Sequence, residues 1–200
     1  MKNKWTDAVG KIYLRTVLCS VLGVVIYLSF AMLAGMFADK DGNLSPSLSL
    51  GIDIVSLVFQ LVLFACFVYA TAWDIGNRHR NAVQFGHMAE DRLFGLKAGL
   101  LASVPAIVSY VVLIAAKAVG LWAGYAAVYR LGHLALYPII VWCFGNSVQA
   151  TTAEIGWANI LTAGLPLLLT PVVSAVGYRL GLADIVLADR LVYKNKKSKK

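Results

Sequence analysis

Residues 73–99 read WDIGNRHRNAVQFGHMAEDRLFGLKAG. The stretch holds seven of the chain's 28 charged residues and two of its three histidines, while the sequence on either side is almost purely apolar. Charges avoid hydrocarbon, and a backbone inside lipid must satisfy its own polar groups, which long helices do. A charged island between long apolar runs is therefore a loop between two membrane spans. That reading predicts an all-α integral membrane protein.

Composition agrees. The 200 residues are 60% hydrophobic and 14% charged, against about 25% charged in a soluble domain. The length suits a single bundle. The net charge of +8 does not indicate nucleic-acid binding, because the Lys and Arg gather at the ends of apolar runs and in the tail rather than on a soluble face. Cys19, Cys66 and Cys143 are far apart within apolar runs and form no metal or redox spacing. They read as buried thiols.

Working outward, residues 16–38 run 23 residues without a charge, ~35 Å as a helix and enough to cross a ~30 Å hydrocarbon core. The run is too long for a cleavable signal region. Breakers at Asp41-Gly42 and Ser45-Pro46 follow, and Asp53 is expected at the start of a second span, 54–73. The loop 74–97 interleaves apolar residues with charges, which predicts a short interfacial helix. The third span, 98–116, carries Pro105 and should kink there. Segment 120–145 has Arg130 and His133 ahead of a short apolar run containing Pro138. It is too short to cross and is expected to be interfacial or re-entrant. The fourth span is 155–178, with Pro166 and Pro171, before a basic tail from Arg179.

With four spans, fifteen Lys and Arg lie on one side and three on the other. The positive-inside rule puts the fifteen in the cytoplasm, so both termini are expected there, in a plasma-membrane protein. Trp5 and Trp73 then mark the inner interface, and Trp122, Trp142 and Trp157 the outer one. The small-residue pairs Gly95/Gly99, Gly120/Gly124, Gly177/Gly181 and Ala31/Gly35 suit close helix packing, within the chain more than between copies.

No charge falls in the middle of a span, which argues against an ion-coupled carrier. HExxH, GxSxG, P-loop and GxGxxG motifs are absent from the sequence. Asp74-x-Gly76-x-Arg78 superficially resembles the CDP-alcohol phosphotransferase signature but lacks the second Asp of each metal-binding pair. In the loop, Arg78, Arg80, Arg92 and Lys97 are candidates for binding anionic lipid headgroups at the cytoplasmic face. His79, His87 and Asp91 are the weaker candidates for a metal, with His87 and Asp91 sharing a face if the loop is helical. No cofactor is expected.

The run W-D-x-G-x-R-x-x-N-x-V-x-F-G at 73–86, D-R-L-x-G-L-K-x-G at 91–99 and G-Y-x-L-G at 177–181 before a basic tail resembles a group of small multi-pass bacterial membrane proteins of similar length and uncharacterised activity. The resemblance implies the topology and nothing about mechanism. The leading functional expectation is a non-enzymatic structural or accessory subunit, partnered by another membrane protein or by copies of itself. A small-solute transporter or channel acting as an oligomer is the alternative, and a lipid-headgroup enzyme using residues 74–92 a third.

Overall fold

A computed structural model describes residues 4–38, 44–120, 122–145 and 151–185. The basic tail beyond residue 185, the Asp41-Gly42 breaker, Lys2 and Lys40 lie outside the described residues. The chain is all helical, with no strand among the described residues, and four helices are long and apolar enough to cross a membrane.

The first is α1, Lys4–Gly35, and the second α2, Pro46–Gln84. Ser45 caps α2 by accepting the Leu48 N–H, with Pro46 in the first turn, where its missing N–H costs no hydrogen bond. Two expectations fail here. Asp53 lies two turns inside α2 rather than at its start. The helix also does not stop at Trp73, because no proline follows to deny the ladder a donor. Its 39 residues span ~58 Å at 1.5 Å per residue, so the helix outruns a hydrocarbon core and carries residues 74–84 beyond it. No interfacial helix forms in 85–93, which turns at Gly86 (φ +71°).

The third helix, α3, Phe94–Val119, runs through Pro105. The fourth crossing is α6, Trp157–Thr162, a 3-10 turn at Leu165–Leu168, and α7, Leu169–Leu182. Pro166 and Pro171 explain the interruption: neither donates the N–H that would continue the α ladder to Thr162 and Leu167.

Between the third and fourth crossings lies a helical hairpin: α4, Tyr125–Gly132, a 3-10 turn at Leu134–Leu136, and α5, Tyr137–Phe144. Trp142 lies by Asp53, near the start of α2, and Tyr137 by Gln60, two turns further in. The hairpin thus packs against the first half of α2, and neither of its two short helices is long enough to cross a membrane.

Glycines set the tightest packing. A Cβ on Gly181 would overlap the Trp73 carbonyl, and one on Gly76 the Tyr178 carbonyl. Gly177 faces Tyr69 and Ala72, so α2 and α7 run parallel. Gly95 and Gly99 meet Tyr178, Ser174 and Pro171, which sets α3 antiparallel to α7. Two of the four small-residue pairs are therefore internal seams. A Cβ on Gly120, Gly124 or Gly35 would meet nothing within 4 Å.

Candidate functional site

The charged loop end carries the residues the sequence singles out, and each candidate cation has a carboxylate of its own. Arg78 forks onto Asp74 one turn earlier, Nη2 at 2.8 Å and Nε at 3.2 Å. Arg80 meets Asp184 after α7. Arg92 pairs with Glu90 at 2.7 Å and Lys97 with Asp91 at 2.9 Å. Asp91 also accepts the Leu93 N–H at 2.9 Å. The Lys97 ammonium, with that amide, holds the Asp91 carboxyl below the usual carboxylate range. These pairs are largely exposed and worth little each. Arg92 and Arg179 also flank, with Glu90, an open notch of about 420 Å³.

The metal candidates are not brought together. His79 sits on α2 at the helix interface, where Nδ1 lies 3.0 Å from the Tyr178 hydroxyl and the ring packs edge-on against Phe94 and Tyr178. Phe94 in turn meets Trp5. His87 lies beyond the end of α2, and His87 and Asp91 share no helix. The proposed common face does not exist, because α2 ends at Gln84. Among the described residues no group of three or more His, Cys, Asp or Glu is placed to hold a metal ion.

A second site lies at mid-length of the crossings, around the tip of the hairpin. It is a cavity of about 260 Å³. Its walls are one face of α1 (Tyr13, Thr16, Val17, Ser20), Phe64 of α2, and α3 from Ala102 to Ser109. The hairpin tip adds His133 and Leu136, and the broken fourth crossing adds Pro166, Leu167 and Thr170. The turn at the hairpin tip and the 165–168 turn both face this space. The Leu101 carbonyl, four residues before Pro105, lacks its ladder donor as well.

Buried polar contacts hold the hairpin around the cavity. Gln60, 2% exposed, donates to the Gly23 carbonyl of α1 at 3.1 Å and accepts the Tyr137 N–H at 3.1 Å. Tyr129 is fully buried and donates to the Ala163 carbonyl at 2.9 Å, tying α4 to the break in the fourth crossing. Its ring stacks on His133, centroids 3.9 Å apart. Gly164 leaves room for the Tyr110 ring beside that break.

Arg130 is one of the three basic residues, with Lys40 and Lys117, that the charge count assigns to the outer side. It is 5% exposed, and Nη2 donates to the Phe144 and Gly145 carbonyls at 2.9 and 3.0 Å. Those carbonyls end α5, where a cation meets the negative pole of the helix. The Phe144 ring lies 5.6 Å from the guanidinium. A charge within a short polar-looking segment gave the signal; its burial depended on the hairpin turning inward.

Compared with known proteins, the chain matches no family model, no curated protein and no solved structure.

Proposed function

We propose that this is a multi-pass plasma-membrane protein that takes a small uncharged solute into the cavity at mid-bundle, as a carrier or channel subunit. The observation that carries the reading is the convergence on one cavity of two breaks in helical backbone, the 165–168 turn and the hairpin tip, opposite Pro105 of α3. Non-helical backbone at membrane depth is tolerated where it lines a cavity or is covered by protein, and discontinuous helices with re-entrant segments are how carriers build solute sites. Among the described residues no Asp, Glu, Lys or Arg lines this one, which favours an uncharged solute. This moves weight from the accessory-subunit expectation to the transport alternative.

Orientation follows the positive-inside argument, with the loop 85–93 and both termini cytoplasmic. Arg78, Arg80, Arg92 and Lys97 then face anionic headgroups, with the Arg92–Arg179 notch the most open point of contact. Four crossings enclose little volume, so a second copy is the natural partner.

Two measurements test this. In proteoliposomes, flux of small polyols and amides should exceed that of empty liposomes and fall to background in Ala102→Trp, which fills the cavity. Equal flux with and without protein across the panel refutes the transport reading. In a chain lacking native cysteines, Ser45→Cys should label from outside and Ser198→Cys only after permeabilisation. External labelling of Ser198→Cys refutes the orientation.

A further inference from the structure

We infer that the mid-bundle cavity opens sideways, between α1 and α3, into the hydrocarbon of the leaflet next to the charged loop, and takes from it a neutral amphiphile of about octanol's size. The inference rests on the solute-site reading above and names the solute class and its route. The depth follows from the register of two helices that run the same way. Trp5 of α1 meets Phe94 of α3, ring centroids 4.2 Å apart. Tyr13 and Ala102 each stand eight residues further along, and Ser20 and Ser109 fifteen. At 1.5 Å per residue the cavity lies ~12–22 Å beyond that aromatic pair, inside a ~30 Å hydrocarbon core. The rim is marked by exposure. Tyr13 and Val17, 43% and 39% exposed, share a face of α1 one turn apart, and Pro105 of α3 and Gly132 of the hairpin tip are exposed as well. Phe64, Ala102, Leu136 and Thr170, on the same cavity, are buried. Towards the loop the bundle is closed by Ile12, Ala98 and Tyr178 around Phe94. Towards the other end the hairpin closes it with Tyr129 and Ile140, both fully buried. The His133 ring, held by the Tyr129 carbonyl and the Ala106 backbone, fastens the hairpin tip to α3 beside the gap. Surface exposed at this depth meets lipid rather than water, so a solute reaches the cavity through the bilayer.

Size and polarity name the solute. The cavity's volume, about 260 Å³, holds roughly nine water-sized groups at ~30 Å³ each, the heavy-atom count of an eight-carbon alcohol. Thr16, Ser20 and Ser103 donate to carbonyls of their own helices, which leaves their oxygens as acceptors. Tyr13 and Thr170 carry hydroxyls with no hydrogen bond among the described residues, so donors are present too. A hydroxyl or a primary amide uses both. Phe64, Leu136 and Leu167 supply apolar wall for an alkyl body. A charged head would find no counter-charge among the described lining residues. Among uncharged solutes, the route selects those that dissolve in a bilayer.

The test uses the full chain in phosphatidylcholine nanodiscs and an octanol carrying a diazirine on its chain, photolysed and mapped by mass spectrometry. The expected result is saturable labelling of residues 102–109 and of His133, Ala135 or Leu136, lost when unlabelled 1-octanol is in excess. Val17→Trp, on the exposed rim, should lower the labelling severalfold. Val25→Trp, exposed on α1 outside the cavity, should leave it as in the native chain. Equal labelling of those two variants overturns the lateral route and leaves the cavity a solute site. The absence of saturable labelling, or labelling untouched by Ala102→Trp, overturns the solute site itself. A second readout leaves the cavity interior unaltered: a nitroxide on Val17→Cys, in a chain lacking native cysteines, should collide with dissolved oxygen and be shielded from a water-soluble nickel chelate. Ready access of the chelate puts the rim in water and overturns the route.

Discussion

Gln60 and Tyr137 are joined across the bundle, the Gln60 Oε1 accepting the backbone N–H of the first residue of α5 at 3.1 Å. The first N–H groups of any helix lack an internal partner. Here one is met by a side chain 77 residues earlier, whose other end holds the Gly23 carbonyl. Gln60→Leu should therefore loosen the hairpin and cost about 1–2 kcal/mol, the upper range for such bonds in membranes. Thermal unfolding in detergent, with thiol accessibility of Cys143 at the hairpin's far end, checks it. A native midpoint would show that the bond contributes nothing.

The glycine seams predict a sharp contrast. Gly181→Ala and Gly76→Ala set a Cβ against backbone of the facing helix, which cannot move aside as a side chain can. Each should cost roughly 1–3 kcal/mol, the usual range for overpacking. Gly10→Ala, with nothing within 4 Å, should be neutral or stabilising by up to about 1 kcal/mol through helix propensity. Midpoints of the three variants in one detergent decide it.

Arg130 should behave as a clasp. Arg130→Ala leaves the Phe144 and Gly145 carbonyls without their donor and should cost about 1–3 kcal/mol, the penalty for unmet buried groups. Arg130→Met, which keeps the bulk and removes the buried charge, should cost less than Arg130→Ala. If both variants matched the native midpoint, the clasp would be energetically idle.

Asp91 sets a pH dependence in the loop. Its carboxyl is held below the usual range, chiefly by the Lys97 hydrogen bond, so its contribution is complete above the unfolded value of about 3.9 and fades as pH falls through the lower folded value. Hydrogen exchange at the Leu93 amide, which Asp91 accepts, should stay slow at neutral pH and quicken below about pH 4 beyond the intrinsic rate. Asp91→Asn should abolish that excess, and a pH-independent protection factor in the native chain would contradict it.

The crossings were legible because span length and the absence of charge are local properties. Their ends were less so: Trp73 looks like an interfacial stop, yet nothing after it breaks a helix before Gln84. The loop cations were found, but their pairing was hidden, since Arg80 meets Asp184 only once α7 lies along α2. The mid-bundle site was missed for a similar reason. Its walls come from five stretches far apart in sequence, and His133 gives no local sign of depth. Pro105 and Pro166 were the available signal, two prolines of different helices that line one cavity.

The parallel seam of α2 and α7 also has a consequence for biogenesis. Gly76 is made about a hundred residues before its contact at Tyr178, so α2 enters the bilayer with its glycine face open. The same holds for Gly95 and Gly99 of α3. The last crossing is the wedge that closes both faces together. Until it arrives, the first three crossings form a loose set in which these small residues lack the backbone they pack against. A nascent chain arrested before residue 169 should thus persist as a clear substrate for membrane quality-control proteases, and completion of α7 through Leu182 should end that vulnerability.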